Sequence, residues 1–148
     1  MSIKKFNLKI KKKILPFKKT INVDADKSIS IRSFLIAAIS QNLSVASNVL
    51  ESEDVLSTIN CLKKLGVKIK KIKPKKYQIF GNGIGSLFAK KNTLLNFGNS
   101  GTLARLLIGI LSTTPNITVN LKGDHSLNKR NMSSLIKLMK SFGAEFFP

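Results

Sequence analysis

An α/β fold built from a repeated supersecondary unit is what this 148-residue sequence predicts, on three observations. Two strongly apolar helical stretches, 27–40 and 100–112, are each followed by a short strand-patterned segment and then by an amphipathic helix. The two amphipathic helices also finish alike: Cys61-Leu62-Lys63-Lys64-Leu65-Gly66-Val67 parallels Leu138-Met139-Lys140-Ser141-Phe142-Gly143-Ala144. Finally, apolar and polar residues alternate at Val67–Lys70 and at Ile117–Leu121, the period of a half-exposed strand. A unit of this kind buries its apolar face against its own copies. The division expected is a strand and connector in residues 1–20, one unit over 21–84, and a second over 85–148 that lacks its closing hairpin.

The elements follow in order. Ile3, Phe6, Leu8 and Ile10 are spaced mostly at even intervals and are interrupted by Lys11–Lys13 and Pro16, as in an opening strand and connector. Residues 27–40 are apolar nearly all round, which predicts a buried helix. Val45–Leu50 reads as a short strand. Ser52 is placed to cap the next helix, and Glu53 and Asp54 in its first turn have the charge that the helix dipole favours. Val55, Ile59, Leu62 and Leu65 form its apolar stripe, and Gly66 ends it. The strand at Val67–Lys70 pairs with Tyr77–Phe80, and Gly81-Asn82-Gly83 turns the chain. In the second unit, the helix over 100–112 is followed by a strand at Ile117, Val119 and Leu121. A helix over 131–142 then turns Met132, Leu135, Ile136 and Met139 inward, and Gly143 ends it.

Composition narrows the function classes. The hydrophobic fraction of 43% suits a chain with a real core and argues against wholesale disorder. The apolar runs near Phe34–Ile39 and Leu106–Leu111 are far shorter than the ~20 residues of a membrane span, and Met1–Lys5 lacks a secretory apolar core. One cysteine, Cys61, allows neither an internal disulfide nor a cysteine-based zinc site, so a soluble, reducing, cytoplasmic setting is expected, with no metal and no cofactor. The net charge of +19 comes almost wholly from lysine, since Arg32, Arg105 and Arg130 are the only arginines. Nucleic-acid recognition leans on arginine and interleaved aromatics, and the runs Lys11–Lys13 and Lys68–Lys76 lack both apart from Tyr77 just beyond. A solvated surface set by a lysine-biased genome is therefore preferred over a small basic nucleic-acid-binding protein. Either way the field attracts anionic metabolites.

Two polar turns open directly into apolar helices: Asp26-Lys27-Ser28-Ile29-Ser30-Ile31-Arg32 and Asn99-Ser100-Gly101-Thr102. Free N–H groups and the positive end of the dipole make such starts suitable for phosphate or carboxylate. Ser28 and Arg32, four residues apart, share a helix face, and Arg32 in an apolar helix calls for an anionic partner. The bland alternative is an ordinary cap with solvated charges. At the second start Gly101 admits close ligand approach, against an equally good reading as a capped core helix; Arg105, one turn on, reads as a structural ion-pair member. Gly123–Arg130 follows a strand and precedes a helix; taken alone it is a polar connector in which Arg130 would welcome an anion. His125 reads as a solvated loop residue and Cys61 as core, and no nucleophile–base pair is legible.

Together, Asp26–Arg32, Ser52-Glu53-Asp54-Val55-Leu56, Gly98-Asn99-Ser100-Gly101-Thr102 and Gly123-Asp124-His125-Ser126-Leu127-Asn128-Lys129-Arg130 resemble, in order, the amino-terminal portion of the 5-enolpyruvylshikimate-3-phosphate (EPSP) synthase family. The related enolpyruvyl transferase acting on UDP-N-acetylglucosamine shares the fold but matches these motifs less well. The resemblance implies an inside-out α/β barrel of βαβαββ units, two present here and the second incomplete, with residues 1–20 belonging to the other domain. It implies addition of the 5-hydroxyl of shikimate 3-phosphate to C2 of phosphoenolpyruvate with loss of phosphate, no cofactor, and a monomeric full-length enzyme. Lys27 would lie between the substrates, Ser28 and Arg32 would hold the shikimate carboxylate, and Asn99, Gly101 and Arg130 would receive the phosphoenolpyruvate phosphate, a pocket also open to glyphosate. Four positions depart from the family pattern: Asp24-Ala25 stands for Pro-Gly, Ile31 for His, and Asn131 for Pro. The chain is accordingly expected to be an amino-terminal fragment, inactive alone, with an anion-binding module as the other class of reading.

Overall fold

Residues 18–147, with Lys9, Lys11, Leu15 and Pro16, are described by a computed structural model. The strand expected around Ile3, Phe6, Leu8 and Ile10 lies outside the described residues. Helix α1 (Lys27–Ile39) starts at Asp26, whose carboxylate accepts from Ile29 N at 2.7 Å. It buries Ile31, Phe34, Leu35 and Ala38. The expectation that its whole circumference is buried is corrected. Ile29 and Ile36 are 66% and 62% exposed, and Arg32 between them is exposed too. These positions recur every three to four residues and so form the one face turned away from the sheet and the other helices.

Strand β1 runs Gln41–Ser47, starting and ending earlier than the expected Val45–Leu50. Val49 and Leu50 leave the ladder because Val49 N donates to Lys75 O (3.0 Å) and Leu50 N to Ser30 Oγ (3.0 Å). With β2 (Lys68–Lys73) and β3 (Lys76–Asn82) it makes an antiparallel sheet in the order β1-β3-β2, β3 being central. Ile69, Tyr77 and Ile79 point inward while all four β2 lysines stay exposed. Gly81 and Asn82 are paired strand residues, and the turn begins only at Gly83 (φ 96°). Gly81 is needed for another reason: a Cβ there would collide with the carbonyl oxygens of Ala37 and Ser40 at the end of α1.

Helix α2 (Glu53–Lys64) buries the expected stripe, Val55, Ile59, Leu62 and the following Leu65, and Gly66 closes it in the left-handed region (φ 87°). The expected Ser52 cap is not formed. Its backbone has cap geometry, but its hydroxyl is buried without a partner among the described residues. In the second half, β4 (Leu94–Asn96) and β5 (Asn120–Lys122) pair in parallel, and α3 (Gly101–Ser112) forms the connection between them. The ladder takes in only the end of the expected 117–121 strand; Ile117 and Val119 pack partly buried against the core. After one helical turn, α4 (His125–Asn128), comes α5 (Ser133–Ser141), with Gly143 at φ 90° beyond it. The inward set Met132, Leu135, Ile136 and Met139 is half-buried rather than core. The α1–α2–α3 packing places the starts of these helices close together, and that geometry creates the site. No helix among the described residues is long and apolar enough to cross a membrane.

A candidate anion-binding site at converging helix starts

The turn into α3 is held from three directions. Asn96 Oδ1 accepts from Gly98 N at 3.0 Å, and Gly98 sits at φ 55°. Ser100 is fully buried, and its hydroxyl accepts from Leu103 N at 3.3 Å. Asp124 N donates to Gly98 O at 2.8 Å, tying the loop after β5 to this turn. One capping oxygen serves one amide, so the N–H groups of Gly101 and Thr102 remain without a partner among the described residues. That is the donor arrangement an anion needs.

Arg130 is brought to the same turn by local structure. Asp124 caps α4 through Leu127 N (2.7 Å), Leu127 is buried, and Arg130 N donates to Leu127 O (3.0 Å). The guanidinium then donates from Nη2 to Asn99 Oδ1 at 2.9 Å. It also lies over Gly101, where a Cβ would stand 2.6 Å from Nη1. Across the cleft Lys27, the first residue of α1, pairs with Asp54 of α2, Nζ to Oδ2 at 2.9 Å. Lys27, Asp54, Asn99, Gly101, Thr102, Arg105 and Arg130 enclose about 320 Å³. Three cations face one carboxylate, and that carboxylate is paired. The space therefore favours a small anion with acceptor oxygens. No cluster of three metal-ligating side chains occurs among the described residues.

The pattern matches the EPSP synthase (3-phosphoshikimate 1-carboxyvinyltransferase) family over residues 11–147. The chain belongs to the EPSP synthase family. It is similar to 3-phosphoshikimate 1-carboxyvinyltransferases of Syntrophomonas wolfei, 40% identical over 92% of this chain and 31% of that protein. It is also similar to that of Leptospira interrogans, 44% identical over 84% of this chain and 28% of that one. The solved structure of EPSP synthase from Acinetobacter baumannii superimposes with a TM-score of 0.75 at 36% identity, covering 84% of this chain and 28% of the other. The mixed α/β architecture is thus that of EPSP synthase. The chain spans about three tenths of the length of the curated relatives it matches.

Of the six residues singled out in the sequence, this chain gathers Lys27, Asn99, Gly101 and Arg130 on the cleft. Ser28 and Arg32 do not line it. Ser28 is half-buried and Arg32 exposed, with no carboxylate in ion-pair range among the described residues. Arg32 is exposed, so no anionic side chain has to accompany it and its guanidinium is open to an external partner. The two helix starts are also unequal. Asp26 places its own carboxylate at the start of α1, so α1 contributes mainly the Lys27 side chain, whereas α3 offers open amides. Arg105 makes no ion pair among the described residues: it lines the cleft and donates from Nη2 to Asn131 O at 3.3 Å. Asp54 and Arg105 were not legible as site residues, whereas Thr102, also on the cleft, belongs to the turn read from the sequence. Asp54 looked sufficiently explained by the α2 dipole; only the five-residue match Ser52–Leu56, in order with the other motifs, signalled it. His125 is exposed. Cys61 is buried, its Sγ 3.4 Å from Asn96 O, and burial pushes its thiol up to about 11. Neither faces the cleft.

Proposed function

We propose that this chain supplies one wall of the site for enolpyruvyl transfer from phosphoenolpyruvate to the 5-hydroxyl of shikimate 3-phosphate. The observation that carries the reading is the union of the open α3 amides, Arg130 pinned by Asn99, and Lys27 around one small cleft. In the reaction the 5-hydroxyl gives up its proton as its oxygen bonds to C2 of phosphoenolpyruvate, while C3 takes a proton. The C2–O bond to phosphate then breaks as C3 loses a proton. Charge grows on the departing phosphate, and fixed donors aimed at it lower the barrier. Arg130 and the Gly101 and Thr102 amides take that phosphate, with Asn99 orienting Arg130. Lys27 lies between the two substrates, and Ser28 and Arg32 reach the shikimate carboxylate from the next face of α1. Glyphosate, a phosphonate with a carboxylate, competes for the phosphate place. Residues 21–148 form part of one domain and residues 1–20 part of another, in a cytoplasmic, monomeric full-length enzyme.

Titration calorimetry with inorganic phosphate, phosphoenolpyruvate and shikimate 3-phosphate tests the reading. Binding of both substrates is expected, with Arg130→Ala weakening phosphoenolpyruvate about ten- to hundredfold, the order of one charge-assisted contact. Absence of binding by any of the three would overturn it. A nucleic-acid protein would instead bind duplex or single strands with a steep salt slope.

A further inference from the structure

Among the described residues, Asp54 is the only carboxylate on a cleft otherwise lined by cations and hydrogen-bond donors. A negative charge facing an anion site lowers affinity by simple repulsion. Its position in the first turn of α2 gives it one structural reason to be there. Glu53 meets that same need one residue earlier and from an exposed position. Asp54 differs in being sheltered, its side chain 16% exposed against 49% for Lys27, and in reaching the Lys27 ammonium at 2.9 Å. Lysine is a compact charge on a flexible four-carbon stem and orders itself only against a partner. Lys27 has only the first residue of α1 as its anchor, and Asp54 is its only carboxylate among the described residues.

We propose that Asp54 is a positioning residue: it holds the Lys27 ammonium at the mouth of the cleft, so that an incoming phosphate or carboxylate meets an ordered cation opposite Arg130. The proposal rests on the anion-site reading above and adds to it how the Lys27 arm is aimed. It makes a prediction of opposite sign to a bystander carboxylate. Removing a bystander charge from an anion cleft tightens anion binding. Removing a positioning carboxylate weakens it, because Lys27 must then be ordered by the ligand itself.

Asp54→Asn keeps the shape of the side chain and removes its charge. Calorimetry with phosphoenolpyruvate at physiological salt is expected to show about five- to tenfold weaker binding than the unaltered chain, the scale of one partly sheltered ion pair. In a Lys27→Ala background the same substitution is expected to leave affinity unchanged, since Asp54 acts through Lys27. Asp54→Glu, which keeps the charge, should recover part of the loss. Without ligand, ¹⁵N relaxation of the Lys27 ammonium should report a restricted group that becomes freely mobile in Asp54→Asn, whereas melting temperature tracks only the dipole role. Equal or tighter binding by Asp54→Asn, or a Lys27 ammonium no more mobile than before, overturns the positioning role and leaves the anion site standing. Failure of the unaltered chain to bind phosphoenolpyruvate overturns both.

Discussion

Substituting Gly101 by alanine tests the architecture of the cleft at its tightest point. The added Cβ would lie 2.6 Å from Arg130 Nη1, with Cζ at 3.7 Å and Cδ at 3.9 Å. Carbon and nitrogen at rest approach to about 3.5 Å, so the guanidinium has to retreat by about 0.9 Å. Arg130 is the free end of a long side chain on an exposed residue, so it moves and the backbone does not. Its 2.9 Å bond to Asn99 Oδ1 has little slack, and a shift of that size takes it out of good geometry. A charge-assisted bond is worth roughly 1.5–3 kcal/mol, so phosphate and phosphoenolpyruvate affinity should fall about ten- to hundredfold. Stability should not fall, because Gly101 has no left-handed backbone and alanine in a first helical turn restricts the unfolded chain. Calorimetry on Gly101→Ala, Arg130→Ala and the double variant measures this. The reasoning is refuted if Gly101→Ala binds phosphate like the unaltered chain, or if it weakens binding just as much when Arg130 is already absent.

Three further outcomes follow from the fold. Glu51 accepts from Tyr77 Oη at 2.6 Å and Lys75 N at 3.2 Å and pairs with Lys71 at 2.8 Å; the Lys71 bond first, then Tyr77, lower its carboxyl to about 2 from an ordinary 4.5. A lowered folded value stabilises above the unfolded one and is lost as pH drops, so melting temperature should decline between about pH 4.5 and 2, and Glu51→Gln should flatten that decline. Phe34 is fully buried and packs edge-on against Tyr77 at 5.3 Å, so Phe34→Ala should cost about 3–5 kcal/mol in urea unfolding; a loss under about 1 kcal/mol would contradict its core position. Cys61, buried and raised to about 11, should resist iodoacetamide at pH 8 in the folded chain and react readily in urea, as followed by mass spectrometry.

Periodicity made α1, α2 and α3 legible to within a residue or two, because their patterns are long and their ends are punctuated by Asp26, Gly66 and Ser100. Strand limits were less legible. β1 begins at Gln41 and Asn42, polar residues that earn no strand signal on their own and are drawn into the ladder by β3. Ser52 carries the right residue for a cap and does not use it, since the direction of a hydroxyl depends on what surrounds it. At the site, Lys27, Asn99, Gly101 and Arg130 were legible through turn-to-helix chemistry and motif order. Arg105 and Asp54 were not, as each had an adequate local explanation.

The sequence by itself determined the α/β class, the repeated order of helices and strands, the anion-friendly start of α3 and the family. These depend on near-neighbour chemistry: caps, glycine punctuation and apolar period. Tertiary structure alone decided which charges meet. Asn99 and Arg130 lie 31 positions apart and bond at 2.9 Å; Lys27 and Asp54 belong to different helices and pair at 2.9 Å. No local pattern encodes such distances. They arise because α1, α2 and α3 pack through their apolar faces, and that packing leaves their polar starts side by side around one cleft.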